Sequence, residues 1–536
     1  MKERDIEMRM PKFSSRFLLL AAAVLAGGLT GCVVGPKYHP PTTQAPPAYK
    51  ETPASVAPSP AASPTPAPAS SGADPTLGGL GSWTVAQPQD SSLRGKWWEL
   101  YNDPELNALE EQLNIDNQNL REYYENFMAA RAAVLQARSQ YYPTVGVGPS
   151  WSRSRSSSNV SNLPGAAGAR SPNITTSIIE LPAEVSWEPD LWGRIRNTVR
   201  ANQYAAQVSA ADLENERLLE QASLAIYFFE LRGQDALQQI LDATVGADQE
   251  SLKLARTQYE TGITDQLSVV QAQNTLQSAQ SQATNLGVAR SQYEHAIAVL
   301  VGKMASDFSI PARPSLITPP PIPVGLPSQL LQRRPDIAAA ERTMAAANAR
   351  IGVAYAAYYP NLSLSATGGF ESSTWKRLLD LPSRIWSIGP SVSETVFDAG
   401  LRRATVNQYI ATYNADLAAY RQTVLAAVQQ VEDALAALRI LTQQIQQQHE
   451  VVESAQMALD LEMKRYKAGL DPYIDVVIQQ NTLLAAQQVL AEIEIQRTTA
   501  SVQLIEALGG GWDASQLPTP EQVTVRPEKA DTALQQ

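Results

Sequence analysis

Apolar and polar residues alternate along this chain with two periods, and each period keeps to its own blocks. Val145, Val147, Pro149 and Trp151 are apolar, while Thr144, Gly146, Gly148 and Ser150 between them are small or polar. Ile179, Leu181, Ala183, Val185 and Trp187 alternate with Glu180, Pro182, Glu184 and Ser186. Farther on, Leu362, Leu364 and Ala366 alternate with Ser363, Ser365 and Thr367, and Trp386, Ile388, Pro390 and Val392 alternate with Ser387, Gly389, Ser391 and Ser393. Period two predicts β-strands with one apolar face, each about nine residues long, as a membrane barrel needs. Trp151, Trp187 and Trp386 suit an interfacial girdle. The same pattern suits a soluble amphipathic hairpin whose prolines mark edge strands. Four strands cannot close a pore and an open edge is forbidden in lipid, so the membrane reading requires several chains in one barrel.

Between these blocks the period lengthens. From Leu191 to about Glu260, and from Leu401 to about Ala468, there is no proline. Each stretch predicts a helix of roughly 100 Å at 1.5 Å per residue. The return segments carry heptads. Val269, Ala272, Leu276, Ala279, Ala283, Leu286, Arg290, Tyr293, Ile297 and Leu300 are spaced three and four alternately. Val476, Gln479, Leu483, Ala486, Leu490, Ile493, Arg497, Ala500, Leu504 and Ala507 keep the same register. This is a coiled-coil seam, interrupted at Arg290 and Arg497. Its many alanines allow close helix approach, and the Gln-, Ser- and Asn-rich remaining faces suit walls wetted on two sides.

The chain is a duplication. An offset of 207 residues carries Val185 onto Val392, Gly193 onto Gly400, Arg196 onto Arg403, Leu231-Arg232 onto Leu438-Arg439 and Gly302 onto Gly509. It also superposes Tyr259-x-x-Gly262 on Tyr466-x-x-Gly469, and Gln273-Asn274-Thr275-Leu276 on Gln480-Asn481-Thr482-Leu483. Constant spacing implies helices that run side by side and end level. Tyr141-Tyr142-Pro143 matches Tyr358-Tyr359-Pro360 at an offset of 217, so the first copy holds ten extra residues. They fall in the Ser-, Asn- and Gly-rich stretch Ser154–Pro172, around Gly165, which reads as a loop tip.

Composition narrows the chemistry. The net charge is −11, with no long basic cluster, which argues against a nucleic-acid partner. His39, His295 and His449 lie far apart and form no metal-spaced pair. Phosphate-loop, nucleophile-elbow and zinc-protease motifs are all absent from the sequence. Cys32 is the single cysteine. Ahead of it come Lys2, Arg4, Arg9, Lys12 and Arg16, an apolar run from Phe17 to Leu29, and Leu29-Thr30-Gly31. This reads as a secretory signal, too short to span a bilayer comfortably. The box is similar to that of bacterial lipoproteins, which implies cleavage before Cys32 and a covalent lipid on it. A plain signal with a stray thiol is the alternative. Val33, where an Asp would hold a lipoprotein at the inner membrane, implies an outer-membrane address. The expected divisions are signal 1–31, lipidated Pro-rich tether 32–90, first repeat 91–303, Pro-rich joint 304–330, second repeat 331–512 and frayed tail 513–536.

Taken together, the sequence resembles the outer-membrane efflux channels, the TolC-like family, and most closely its OprM/NodT lipoprotein branch. The resemblance runs from Trp97-Trp98 to Trp512. It includes Leu100-Tyr101-Asn102-Asp103-Pro104-Glu105-Leu106, Trp187-Glu188-Pro189-Asp190-Leu191-Trp192-Gly193-Arg194, Arg333-Arg334-Pro335-Asp336-Ile337 and Ala507-Leu508-Gly509-Gly510-Gly511-Trp512. It implies a mainly α fold with a membrane β-barrel: a homotrimer with a twelve-stranded barrel continuous with a long periplasmic helical barrel, two repeats per chain, and an equatorial belt built partly from 304–330. It implies no enzymatic reaction and no cofactor besides the lipid. The implied role is the passive exit duct of a tripartite pump, with a periplasmic adaptor and an inner-membrane transporter as partners.

The resemblance also assigns sites. Tyr259, Gly262, Tyr466 and Gly469 mark the periplasmic tips where adaptors meet the channel; the glycines would equally cap helices without any partner. Ile474 and Asp475 match an apolar and an acidic constriction ring. Ile478 stands where relatives often carry a second Asp, and the first copy offers Leu267, Ser268 and Gln271. The lesser alternative is that Asp475 is an ordinary solvated helix residue. The rival to a channel is a lipid-anchored coiled-coil envelope spacer or adhesin without a pore. That rival leaves the duplicated strand pairs unexplained.

Overall fold

The computed structural model describes residues 33–41, 49–51, 95–155, 175–325 and 327–525. The signal segment, Cys32, most of the tether, the loop from 156 to 174 with Gly165, and residues 526–536 lie outside the described residues. In chain order the long elements are α1 (Pro104–Asp116), α2 (Gln118–Ser139), β1 (Thr144–Val147), β2 (Ser150–Arg155), β3 (Thr175–Trp187), α3 (Arg194–Glu260), α4 (Gln266–Leu300), α5 (Pro335–Ala356), β4 (Asn361–Ser372), β5 (Arg384–Ser393), α6 (Leu401–Lys467) and α7 (Tyr473–Ala507). The duplication is kept to the residue. Helices α3 and α6 each have 67 residues, α4 and α7 each have 35, and α2 and α5 each have 22.

Four columns stand side by side. Helices α3 and α6 run the full length. On the sheet side they alternate with α2 and α5, and on the far side with α4 and α7. The short helices join head to tail where one begins and another ends. Asn117 caps α2 and donates from Nδ2 to the Leu300 carbonyl ending α4, at 2.9 Å. Arg334 precedes α5 and donates to the Ala507 carbonyl ending α7, also at 2.9 Å. Each side chain satisfies a carbonyl that a helix C-terminus leaves orphaned. Pro335 takes the first helical position, where its missing N–H costs nothing.

Around these joints lies an equatorial core. Trp97, Trp98, Tyr101, Leu106 and Leu113 pack on Leu224, Phe228 and Phe229 of α3 and Ile505 of α7. The Tyr101 ring lies 4.8 Å from that of Phe229, and its hydroxyl shares a 2.7 Å hydrogen bond with Ser501. The entry to α1 follows from the local sequence. Asn102 turns left-handed at φ 52°, and the Asp103 carboxylate accepts from the Glu105 and Leu106 amides at 2.9 and 3.3 Å.

Arg290, which interrupts the α4 seam, has a structural role here. Its Nε donates to Asp235 and its NH2 to the Ile310 carbonyl, both at 2.7 Å. The buried Arg232 donates to the same Asp235 at 2.9 Å and to the Pro311 carbonyl at 2.8 Å, and it pairs with Glu105. Arg313 donates its amide to Asp235 and its guanidinium to Asp103. This network clamps the Pro-rich joint across α3, α4 and α1. The seam itself is as the heptads predict: Ala272, Ala279, Ile297, Val476, Leu483, Ala486, Ile493, Ala500 and Leu504 are all buried.

Two segments expected to be extended or frayed are docked where they are described. The tether 32–90 is no free leash where it is described. Val34 donates its amide to the Trp192 carbonyl at 3.1 Å, and Asn348 donates to the Pro36 carbonyl at 3.1 Å. Tyr49 is buried among Val424, Val431 and Leu504, and Arg439 pairs with Glu51 at 2.6 Å. A Pro-rich strand that cannot fold alone can still fill grooves that other elements supply. The tail 513–536 is likewise docked as far as Val525. Val523 is buried against Phe127 and Val134, and Gln207 donates to the Pro518 carbonyl at 2.8 Å.

Removing one partner of a buried ion network strands the others, at a cost of about 3–5 kcal/mol. Arg232→Ala removes the cation that Asp235 and Glu105 share but leaves Asp235 its bonds to Arg290 and the Arg313 amide, so the loss is predicted at the low end of that range, about 3 kcal/mol, in unfolding followed by circular dichroism. Arg421→Ala on the exposed face of α6 is predicted to leave stability unchanged.

Candidate pore lining and helical tips

The sheet is antiparallel throughout. Strands β1 and β2 both pair with β3, β3 pairs with β4, and β4 with β5. One register serves β1 and β2, as Thr144 faces Ser186 and Ser150 faces Glu180. The interruption between them is chemical. Gly148 donates to the Pro182 carbonyl at 3.3 Å, but Pro182 and Pro149 have no N–H to complete the ladder. Gly369 faces Pro182 from β4, and a Cβ there would lie 2.2 Å from the Leu181 carbonyl oxygen, so glycine is required.

This register collects the apolar residues on one face. Val145 meets Val185, which meets Ala366, which meets Ile388; Trp187 meets Leu364, which meets Pro390. Among the described residues most of that face is uncovered: Val145, Trp151, Trp386, Ile388 and Val392 are each more than 60% exposed, while Ile179 near the other end of β3 is buried. The opposite face carries Ser150, Ser186, Ser365 and Thr367 with three carboxylates, of which Glu180 faces Glu371 across the ladder. The sheet is thus apolar outside and wet inside. Its outer strands, β1/β2 and β5, keep one edge each without a partner strand among the described residues.

Left-handed glycines and aspartate caps turn strands into helices. Gly193 and Gly400, at φ 82° and 92°, precede α3 and α6. Asp190 accepts from the Ile195 and Arg196 amides at 3.2 and 2.9 Å, and Asp398 does the same for Gly400 and Arg402 at 3.0 and 3.2 Å. Trp192 stacks on Tyr359 at 4.8 Å and donates to the Pro360 carbonyl at 2.8 Å.

At the far end both hairpins close alike. Gly262, at φ 73°, donates to the Tyr259 carbonyl at 3.0 Å, and Ile263 to that of Gln258 at 2.8 Å. Gly469, at φ 74°, donates to the Tyr466 carbonyl at 2.9 Å, and Leu470 to that of Arg465 at 3.0 Å. Both are Schellman caps. The two tyrosines differ: Tyr259 is exposed, whereas Tyr466 is buried beside Tyr473 with ring centroids 5.2 Å apart.

The residues expected at a constriction fall in two sets on different helices, both flanking the lower end of α3. Ile474 and Ile478 are exposed one turn apart on α7, with half-buried Asp475 between them. Exposed Leu267 and half-buried Gln271 take the equivalent places on α4. Ser268, equivalent to Asp475, is buried, and its amide and hydroxyl both donate to the capping Asp265. The second tip also holds ionised groups that the motif search passed over. Arg465 binds Asp471 through two bonds and holds its carboxyl below the usual range, while burial and contact with Asp471 push Glu462 up.

A further residue escaped the sequence reading. Asp248 of α3 is buried, and neither of its carboxylate oxygens has a hydrogen-bond partner among the described residues. Nearby, Gln480 of α7 donates to Ser251 at 3.2 Å, and burial, with the Asp248 charge adding to it, pushes Tyr473 up. The internal copy held the signal: at the offset of 207, Asp248 and Ser251 correspond to Ala455 and Ala458. Burial raises the Asp248 carboxyl to about 6.

The native chain therefore keeps a proton that the unfolded chain releases near pH 4. Stability falls as pH rises from about 4 to about 6 and is level above that, by about 3 kcal/mol for a shift of roughly two units. Asp248→Asn is predicted to flatten this slope in unfolding midpoints measured from pH 4 to 7. Equal slopes in both proteins would show a hydrated carboxylate instead.

The comparisons agree with this geometry. The family described as "Outer membrane efflux protein" matches residues 109–303 and 326–510, which is one match per repeat. A probable efflux pump outer membrane protein of Pseudomonas putida, TtgC, is 30% identical over 495 residues, covering 92% of this chain and 96% of the relative. The solvent efflux pump outer membrane protein SrpC of Pseudomonas putida is 31% identical over 422 residues, covering 78% and 88%. Among solved structures, the outer-membrane channel OprN is 27% identical, with a TM-score of 0.77 over 90% of this chain and 100% of its own. The Campylobacter jejuni CmeC channel shares the fold at 21% identity, with a TM-score of 0.76, covering 91% and 97%. With the amphipathic sheet, the paired columns and these relatives in agreement, the chain belongs to the outer membrane efflux protein family, the outer-membrane channels of Gram-negative bacteria that extend into the periplasm.

Proposed function

We propose that three copies of this chain close one duct, four strands each, and that the duct is the passive outer-membrane exit of a tripartite efflux pump. The observation that carries this reading is the sheet: apolar and uncovered on one face, polar on the other, and open along β1/β2 and β5. In hydrocarbon those edges need partners, and neighbouring copies supply them. The helical columns then form a hollow barrel below. The Tyr259–Gly262 and Tyr466–Gly469 tips face a periplasmic adaptor, and an inner-membrane transporter supplies the cargo. Small organic molecules are the cargo class, by analogy with the solvent and toluene pumps of the relatives. Cys32 carries the lipid that holds each chain to the outer membrane.

Two measurements test this reading. Mass analysis of the mature protein is expected to find an acylated Cys32 at the N-terminus; an unmodified chain starting elsewhere removes the anchor. Recordings of trimers in planar bilayers test the constriction. Three Asp475 carboxylates around one axis favour cations, and a collar of Ile474 resists wetting. Asp475→Ala is expected to bring cation preference toward unity, and Ile474→Gly to raise resting conductance roughly twofold or more. No change in either variant would move the constriction elsewhere, with Leu267 and Gln271 as the next residues to replace.

A further inference from the structure

Directly below the sheet, α2, α3 and the C-terminal segment enclose a groove of about 580 Å³ lined by Arg138, Tyr141, Arg196, Arg200, Gln203 and Glu521. That is the size of a small-ligand site, about 300–1,000 Å³. Its walls are fixed in advance. The Asp190 carboxylate is used up within the strand–helix turn, accepting from two amides and from Arg196 Nε at 3.1 Å. Gln203 donates to the Pro520 carbonyl and to Thr524 Oγ1, both at 3.2 Å. Buried Arg131 donates to the Val525 carbonyl at 2.9 Å and holds the far wall.

The charge in the groove is lopsided. Arg138 and Arg200 are exposed and face Glu521, the one carboxylate among the described lining residues, while the third guanidinium, that of Arg196, is paired with Asp190. Burial and the Asp190 charge push the Tyr141 phenol up against the three arginines, so it remains an O–H donor. The second copy lacks this chemistry. At the offsets of 217 and 207, Arg138 becomes Tyr355 and Arg200 becomes Asn407, and only Arg196 is kept, as Arg403. The tyrosine is common to both copies, as Tyr141 and Tyr358, and the first copy alone carries the arginines at 138 and 200.

The height of the groove is set by the sheet. Tyr141 lies just before β1, and Arg196 and Arg200 lie about 5 and 10 Å below the Gly193 joint at 1.5 Å per residue. The exposed apolar band begins at Val145, beside half-buried Trp187, whose indole donates to the Tyr141 carbonyl at 3.0 Å. With that band in hydrocarbon, the groove sits at the headgroups of the periplasmic leaflet, where basic residues attract anionic lipids. We propose that this groove binds the phosphate of an anionic phospholipid, one per chain, through Arg138, Arg200 and the Tyr141 hydroxyl. The proposal rests on the membrane placement of the sheet and not on the gate or on the pump partners.

The test uses the full-length protein purified from membranes into nanodiscs that contain phosphatidylglycerol and phosphatidylcholine in equal parts. Lipid retained after transfer to detergent is counted by native mass spectrometry. Wild type is expected to keep up to one phosphatidylglycerol per chain and to discard phosphatidylcholine. Arg138→Gln/Arg200→Gln is expected to lower that retention roughly tenfold, while Arg421→Gln, on the exposed face of α6, keeps it. Equal retention in wild type and the double variant, or no preference between the two lipids, overturns the proposal. Displacement of the lipid by millimolar inorganic phosphate also overturns it, assigning the groove to a free anion. Loss of the detergent-resistant trimer in the double variant would assign the arginines to a subunit contact, and likewise overturns it. Unchanged conductance in the double variant keeps this test separate from the channel reading.

Discussion

Backbone hydrogen-bonding groups at the edge of a sheet cannot be left in hydrocarbon, and most of this architecture depends on that constraint. A four-stranded sheet with one uncovered apolar face and an open strand on each side is incomplete by itself. It also cannot be moved by one residue. Period two would bring Glu180, Glu184 and Glu371 to the lipid and Leu181, Val185 and Phe370 to the water. Register, duplication and helix length are therefore coupled. The strands end where the left-handed glycines Gly193 and Gly400 begin the helices, and both helices then run 67 residues to matching caps.

The helical part solves a related problem of orphaned polar groups. Two long columns are continuous and two are each assembled from two helices, so C-terminal carbonyls meet helix starts in the middle of the protein. Asn117 and Arg334 satisfy them from outside the helices they cap. The surrounding equator is where the core is largest and where buried charge gathers, on Arg232, Asp235 and Arg290. Such ions add little net stability over apolar residues of the same shape. What they do is hold an irregular Pro-rich segment that has few amides of its own to offer.

The two copies agree in backbone and disagree in chemistry. Arg232 holds the interdomain joint, whereas its counterpart Arg439 holds Glu51 of the N-terminal segment. Asp248 is buried where its counterpart is Ala455, and Arg138 and Arg200 line a groove where the counterparts are Tyr355 and Asn407. A duplicated scaffold keeps its geometry through spacing, which leaves individual side chains free to specialise. Polar residues at positions where the other copy is apolar are thus the informative ones.

Periodicity alone determined the strands, the seams, the helix lengths and the duplication, because a residue's neighbours in a regular element are set by sequence spacing. The Tyr-x-x-Gly tips were legible for the same reason, as a Schellman cap is local. The docked tether and tail were not: Tyr49 and Val523 have no periodic context, and their burial depends on grooves between helices more than a hundred residues away. Arg290 read as a flaw in a heptad until the structure brought Asp235 and Ile310 against it. The alternating strands left a soluble hairpin and a membrane sheet equally open. Only the tertiary structure decided between them, because no described segment returns to cover Val145, Trp386 and Ile388, and an apolar face of that breadth has to be met by something other than water.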